Sequence, residues 1–310
     1  MILCIGTTPA AQRVMIFPGL MFNAVNRAVT TLDGPAGKSV NVAKVLKVMG
    51  EQPVTTGFLG GDRGKYLQAA LMEKGIESSF LTVSTPTRQS ITVIDELAGT
   101  HTELVEESRP VEPADFDKLM AIIQECIADC QAVVMSGSIV SGGPATFYRD
   151  CTRLAEAAGA LSVVDAHGTA LLEALKANPG LVKPNRAELA ATIGRPSADE
   201  PDTMQAMREL CERGAQRVVV TSGKEPVLAF DGKNFWRITV PQIKAVNTIG
   251  SGDAFTAGLV WRLVRGDDLG EACHWGGAAG AANALTPMPG EVSYEDIERL
   301  ARDVEVQRIG

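Results

Sequence analysis

Apolar residues in this chain gather into short, unbroken runs that end in small or polar residues. Met1–Gly6, Thr55–Gly61, Ala132–Ser138, Ser162–His167, Leu181–Asn185 and Arg217–Gly223 all follow this pattern. Most are rich in Val and continuous rather than alternating, as expected of strands buried on both faces. Between them the spacing turns helical. Ser39–Met49 places Val42, Val45, Leu46 and Met49 on one face, and Pro113–Cys130 does the same with Phe116, Leu119, Met120 and Ile123. Pro144–Ala158 and Pro201–Gly214 each open on a proline suited to a first helical turn. Strands alternating with helices predict crossover connections and a mostly parallel sheet covered on both faces.

Two stretches break the alternation. Arg13–Asp33 has a mixed pattern with no clear helix, and Arg88–Glu107 reads as a hairpin, with Ser90–Asp95 and Thr100–Val105 flanking Leu97-Ala98-Gly99. Together they predict a small β-structured lid, built from two separated insertions over one edge of the main sheet. After Asp253 the character becomes helical throughout: Ala254–Arg265, Leu269–Leu285 and Ser293–Val304.

Composition narrows the possibilities. Of 310 residues, 45% are hydrophobic, which supplies ample core and excludes a disordered chain. Lys and Arg total 29 against 37 Asp and Glu, a net charge of −8. That balance argues against broad binding to nucleic acid or to an anionic membrane, but it permits an anionic ligand in a local basic pocket. No apolar run approaches the ~20 residues of a membrane helix, and no basic stretch precedes an apolar signal core. The six cysteines are scattered without a C-x-x-C pair; Cys126 and Cys130 lie four apart on a helix with no further ligand nearby. All are expected to be reduced and structural, in a cytoplasmic protein. His101, His167 and His274 are far apart and read as structural. The 31 glycines, in a chain only 5% aromatic, suggest tight turns and backbone approaching a ligand.

Three segments carry candidate chemistry. The first is Asn247-Thr248-Ile249-Gly250-Ser251-Gly252-Asp253, running into Ala254-Phe255-Thr256. Its glycines let successive amides face one point, and the helix starting there adds a positive dipole end, an anion hole for a phosphoryl group in transfer. Asp253, in the first turn, is placed to take the proton of an attacking hydroxyl. An Asp near a helix start after a glycine turn is also a common cap. The second is Gly34-Pro35-Ala36-Gly37-Lys38-Ser39-Val40-Asn41. It is not a P-loop, because that spacing needs Gly at position 32, which is Leu32. It delivers Lys38 and Asn41 to a helix start, where a sugar or its phosphate could sit, though a capped helix with a solvated Lys explains it as well. The third is Lys183-Pro184-Asn185-Arg186-Ala187-Glu188, where Asn185 and Glu188 could hold hydrated Mg²⁺ through water, or simply cap a helix.

In this order the segments resemble the phosphofructokinase B group of ribokinase-like carbohydrate kinases, over nearly the whole chain. The resemblance is greatest to the branch of 1-phosphofructokinase and tagatose-6-phosphate kinase. Gly57-Phe58-Leu59-Gly60-Gly61, Thr87-Arg88 and Ser136-Gly137-Ser138 match the group's shared turns. The resemblance implies a single domain over 1–310 with a three-layer α/β/α sandwich, a mostly parallel sheet, and a β-lid from about 11–33 and 87–108. It implies ATP and Mg²⁺ as cofactors, while the charge balance predicts no nucleic-acid or membrane partner and an exposed β-lid edge predicts a homodimer formed through the lid. Asp253 would be the catalytic base, with Gly250, Ser251 and Gly252 forming the anion hole. Lys38, Arg88 and Arg27 would grip the substrate's phosphate, while Gly37, Asn41 and Ser138 would contact the sugar. Lys183, Asn185, Thr221, Ser222, Gly223, Thr248 and Asn283 would serve the nucleotide, and Asn185 with Glu188 the metal.

The departures fall on the sugar side. Gln12 stands where the group's opening usually has a sugar-binding aspartate, so an uncharged amide must recognise hydroxyls there. Ala36 and Ser39 replace two expected glycines, and Glu107-Ser108-Arg109-Pro110 replaces a usual Gly-Pro. The implied activity is phosphorylation of a ketohexose phosphate of the fructose 1-phosphate or tagatose 6-phosphate type. A kinase of an unphosphorylated sugar or nucleoside, and a sugar-phosphate-binding regulator without transfer activity, are the competing readings.

Overall fold

The computed structural model describes residues 1–197 and 199–309. In chain order, β1 (Ile2–Ile5) leads to β2 (Ala10–Phe17), β3 (Thr30–Ala36), α1 (Lys38–Val48), β4 (Pro53–Thr56) and β5 (Phe58–Leu59). Then come α2 (Gly61–Glu73), β6 (Glu77–Ser78), β7 (Leu81–Thr82), β8 (Arg88–Asp95), β9 (Thr100–Val105) and α3 (Pro113–Cys126). The central part runs β10 (Ala132–Ser136), α4 (Phe147–Ala157), β11 (Leu161–Asp165), α5 (Gly168–Leu175), β12 (Leu181–Val182), α6 (Arg186–Ile193) and α7 (Glu200–Glu212). It closes with β13 (Val218–Ser222), β14 (Glu225–Phe230), β15 (Phe235–Thr239), α8 (Ser251–Leu263), α9 (Leu269–Ala284), α10 (Tyr294–Ala301) and β16 (Glu305–Arg308).

The main sheet has ten strands in the order β16-β15-β14-β13-β12-β11-β10-β1-β4-β6. It is parallel from β6 to β13 and antiparallel beyond, through β14, β15 and β16. Its central strands divide their side chains between two cores. Ile2, Cys4, Val134 and Val163 join the cluster under α1, α8, α9 and α10, whereas Leu3, Ile5, Val133 and Val164 join the one under α3, α4, α5 and α7. That division makes three layers, and explains why these strands read as continuous apolar runs.

A second sheet, β3-β2-β8-β9, is built from two separate parts of the chain. β2 and β8 run parallel at its centre, with β3 and β9 antiparallel at the edges. The mixed pattern of Arg13–Asp33 is thus two strands and their exposed connection.

Several boundaries differ from those the sequence predicts. Thr55–Gly61 is not one strand: Gly57 has φ +153°, and a Cβ there would collide with the Gly6 carbonyl, so β4 ends at Thr56 and β5 pairs elsewhere, with β7. Pro144 precedes its helix rather than opening it; its carbonyl accepts the Phe147 amide at 2.9 Å in the turn leading to α4. The antiparallel extension β14–β16 lies outside the elements the sequence predicts, although 227–230 is itself a continuous buried apolar run.

Candidate active site

The parallel strands deliver their carboxyl ends to one rim, where ligands bind in open α/β sheets. Asp165 ends β11, Lys183 follows β12, and Thr221 and Ser222 end β13. Here α8 begins. Gly250 caps it at φ +84°, and a Cβ at that position would come within 2.9 Å of Pro289 Cβ, so the turn requires glycine. The Ser251 amide donates to the Thr248 carbonyl at 3.2 Å. The Gly252 and Asp253 amides follow in the first turn, where helical N–H groups have no carbonyl one turn behind them. With the helix dipole they form a local site of positive potential.

Asp253 is buried, and its Oδ2 accepts a 2.7 Å hydrogen bond from Asn41 Nδ2 on α1. Burial pushes its carboxyl up to about 7; Lys38 opposes the rise, Asp165 adds to it, and the Asn41 bond and Lys183 oppose it again. A carboxylate poised near neutrality is suited to accept a proton. Asn41 Oδ1 is buried with no partner, leaving an acceptor beside Asp253.

Asp165 is buried at the centre of a charged cluster. Its Oδ1 accepts from Lys38 Nζ at 3.3 Å, and its Oδ2 accepts from Lys183 Nζ at 3.1 Å and Thr256 Oγ1 at 3.1 Å. Burial alone would raise its carboxyl, but the Lys183 and Lys38 ammonium groups hold it below the ordinary range. Lys38 is in turn held firmly protonated, chiefly by Asp165, with help from Asp253 and Glu188. A Cβ on Gly252 would lie 3.8 Å from Lys183 Nζ, so that ammonium rests against the anion-hole turn. Asp165 and Thr256 were not singled out from sequence; the only signal was a polar residue ending the Val163-Val164 strand.

Asn185 and Glu188 form a reciprocal cap on α6. Asn185 Oδ1 accepts the Glu188 amide and Glu188 Oε2 accepts the Asn185 amide, each at 2.8 Å. Glu188 Oε1 lies 3.5 Å from Lys38 Nζ. No group of three or more His, Cys, Asp or Glu suited to a metal occurs among the described residues. Glu188 Oε1, outside the reciprocal cap, and the Asn185 side chain are the oxygens of this segment that a hydrated cation could meet through water. Asn185 also bridges to Thr221, whose amide points to the Pro184 carbonyl, bringing Thr221, Ser222 and Gly223 beside the cap.

Asn283, expected on the nucleotide side, lies behind the start of α8. It is fully buried, with Nδ2 donating to Ile249 O at 2.8 Å and Ser251 Oγ at 3.2 Å, and Oδ1 accepting from the Gly290 amide at 2.7 Å. It braces the anion-hole turn from behind. Thr248 Oγ1 lies 2.9 Å from Nε2 of His101 on β9, a link between the second sheet and this turn that the sequence did not reveal.

On the sugar side, three of the predicted residues gather around Thr7, Thr8 and Pro9: Thr7 Oγ1 donates to the Ser138 carbonyl at 3.1 Å, and Arg88 and Gly37 meet the same turn. Gln12, on β2, is buried and donates through Nε2 to Thr92 Oγ1 at 2.9 Å. Arg88 donates through Nε to the Thr8 carbonyl at 3.1 Å and lines a small pocket with Thr7, Thr87 and Arg109. Gly37 caps α1 next to Pro9. Ser138 is exposed on a cavity of about 250 Å³ shared with His167 and Thr169. Lys38 turns to Asp165 and Glu188 rather than sharing a partner with Arg88. Arg27 is exposed in the β2–β3 connection, with no ion pair among the described residues.

A parallel sheet open at one rim, a four-stranded second sheet, and a glycine turn at a helix N-terminus beside a buried aspartate are the features of a ribokinase-like, ATP-dependent carbohydrate kinase. The chain belongs to the pfkB family of carbohydrate kinases, whose model matches residues 1–295. It is 29% identical to tagatose-6-phosphate kinase of Staphylococcus epidermidis over 99% of both chains. Phosphofructokinase-2 of Escherichia coli, solved with fructose-6-phosphate, superposes with TM-score 0.89 at 26% identity, over 97% of this chain and 98% of that one. A Thermotoga maritima chain described as a possible 1-phosphofructokinase gives TM-score 0.92 at 25% identity, over 100% of this chain and 99% of that one. No helix of the described residues is long and apolar enough to cross a membrane.

Proposed function

We propose that this kinase transfers the γ-phosphoryl group of ATP to a hydroxymethyl group of a ketohexose monophosphate, of the fructose 1-phosphate or tagatose 6-phosphate type. The observation that carries the reading is the buried Asp253 carboxylate, held by Asn41 at 2.7 Å and raised to about 7 beside the Gly252 amide. Asp253 takes the proton of the acceptor hydroxyl, and the unpartnered Asn41 Oδ1 receives a second hydroxyl of the sugar. The Gly252 and Asp253 amides, with Lys183 behind them, meet the charge on the phosphoryl group as it moves. Thr221, Ser222 and Gly223 flank the nucleotide. Mg²⁺, when bound, neutralises charge on the ATP phosphates; Glu188 orients its water shell. Arg88, with Arg27, recognises the phosphate already on the sugar, as an Arg fork suits a dianion.

The second sheet acts as a lid that excludes water and so limits wasteful ATP hydrolysis. Its strand connections expose Phe22, Val25 and Leu97, which supports pairing with a second copy through the lid. We place the enzyme in the cytoplasm, with the six cysteines reduced. The test is an ADP-release assay with ATP and Mg²⁺ over paired sugars and sugar phosphates. Turnover on a ketohexose phosphate is expected; turnover restricted to unphosphorylated acceptors would overturn the substrate class, and none on any acceptor would favour a regulator.

A further inference from the structure

We infer that Asp165 is a positioning residue for phosphoryl transfer: it anchors Lys38 and Lys183 as a pair of ammonium groups on the two sides of the anion-hole turn. The inference rests on the reading of Gly250–Asp253 as the transfer centre. Asp165 does not face the cleft itself, being only 1% exposed at its side chain, and each of its oxygens is engaged. Oδ1 receives Lys38 from α1; Oδ2 receives Lys183 from the end of β12 and Thr256 from α8. Thr256 lies one turn after Gly252, and its hydroxyl is also within 2.9 Å of the Gly252 carbonyl. One carboxylate therefore joins four elements at the point where the turn begins.

The two lysines need such an anchor. Lys183 is 3% exposed and its Nζ has Asp165 as its sole carboxylate partner among the described residues. An ammonium group in that position without the carboxylate would be desolvated and unpaired, a costly arrangement. Paired, it rests behind Gly252, where a moving phosphoryl group gathers charge. Lys38 is more exposed, and is held between Asp165 and Glu188 so that its charge faces the Asp253 side of the cleft. Long lysine side chains are otherwise flexible, so fixing both from one buried point removes reorganisation at the moment of transfer.

The test is a double-mutant cycle of Asp165→Asn and Lys183→Met, with kcat and both KM values measured for a phosphorylated sugar and for ATP. Asp165→Asn is near-isosteric and should lower kcat about a hundredfold with KM for ATP changed only a few-fold. The double variant should be no worse than the weaker single one, because Asp165 acts through Lys183. Multiplicative losses, or a rise in KM with kcat intact, would overturn the inference. Asp253→Asn runs in parallel: if it keeps turnover, the transfer-centre reading fails, whereas loss there with an additive cycle removes only the role of Asp165. Should Asp165→Asn not fold, Thr256→Val removes one of its donors with all charges kept. A several-fold fall in kcat supports the anchor, and an unchanged kcat refutes it.

Discussion

Replacing Asp253 by Asn should make the protein more stable while disabling it, and the size of the gain should depend on pH. The carboxyl is raised from its ordinary 3.8 to about 7, chiefly by burial. At roughly 1.4 kcal/mol for each tenfold, keeping it ionised in the folded state costs about 4 kcal/mol. Because the folded value lies above the unfolded one, the native state binds a proton that the unfolded chain has released. Stability contributed by this group is therefore full below about pH 4 and is lost as pH rises through about 7. Asparagine keeps the shape and can still accept the Asn41 bond through its own Oδ1, but it never ionises. The stability of Asp253→Asn relative to wild type should thus grow by about 2 kcal/mol between about pH 5.5 and about pH 8. Urea unfolding of both proteins across this interval measures it. Over the same range, kcat/KM of the wild type should rise with pH to a plateau above about 7, and the variant should lose about 10²- to 10⁴-fold in kcat. A stability difference independent of pH would refute the idea that Asp253 pays for its basicity with a strained charge.

Four further outcomes are expected. Gly250→Ala forces a side chain into a φ of +84° against Pro289, so it should destabilise the fold by about 1–3 kcal/mol in thermal unfolding and lower kcat. Asn283→Leu leaves the Gly290 amide and the Ile249 carbonyl without their partner, and should cost about 1–3 kcal/mol while raising KM for ATP little. Arg88→Ala should raise KM for a sugar phosphate at least tenfold more than for the unphosphorylated sugar; equal rises in steady-state assays would remove Arg88 from phosphate recognition. Phe22→Asp combined with Leu97→Asp should shift a lid-paired dimer to monomer in sedimentation, since both side chains are almost fully exposed in one chain.

Much of the architecture was legible because local patterns carried it. Continuous Val-rich runs revealed strands buried on both faces, and the helices under them showed their apolar faces at helical spacing. The glycine turn that opens α8 was legible for a similar reason: Gly250-Ser251-Gly252-Asp253 lies in adjacent residues. The antiparallel β14–β16 extension escapes the strand–helix alternation because β14 and β15 follow β13 without intervening helices and β16, at the edge, is exposed throughout, and Thr55–Gly61 reads as one strand because Gly57's collision with Gly6 is a contact across the sheet.

By itself, then, the sequence determined the layers, the glycine turn that opens α8 and the family to which its motifs belong, all properties of neighbouring residues. Tertiary structure alone decided what the charges do. Lys38 and Lys183 are 145 positions apart, yet both end on Asp165. Asn41, more than 200 positions from Asp253, holds the carboxylate whose basicity burial creates. Asn283 ties the Ile249 carbonyl, 34 positions away, to the Gly290 amide through one buried side chain. Hydrogen bonding and desolvation depend on which side chains meet and how much water remains between them, and a linear sequence specifies neither until the sheet brings its strand ends to one rim.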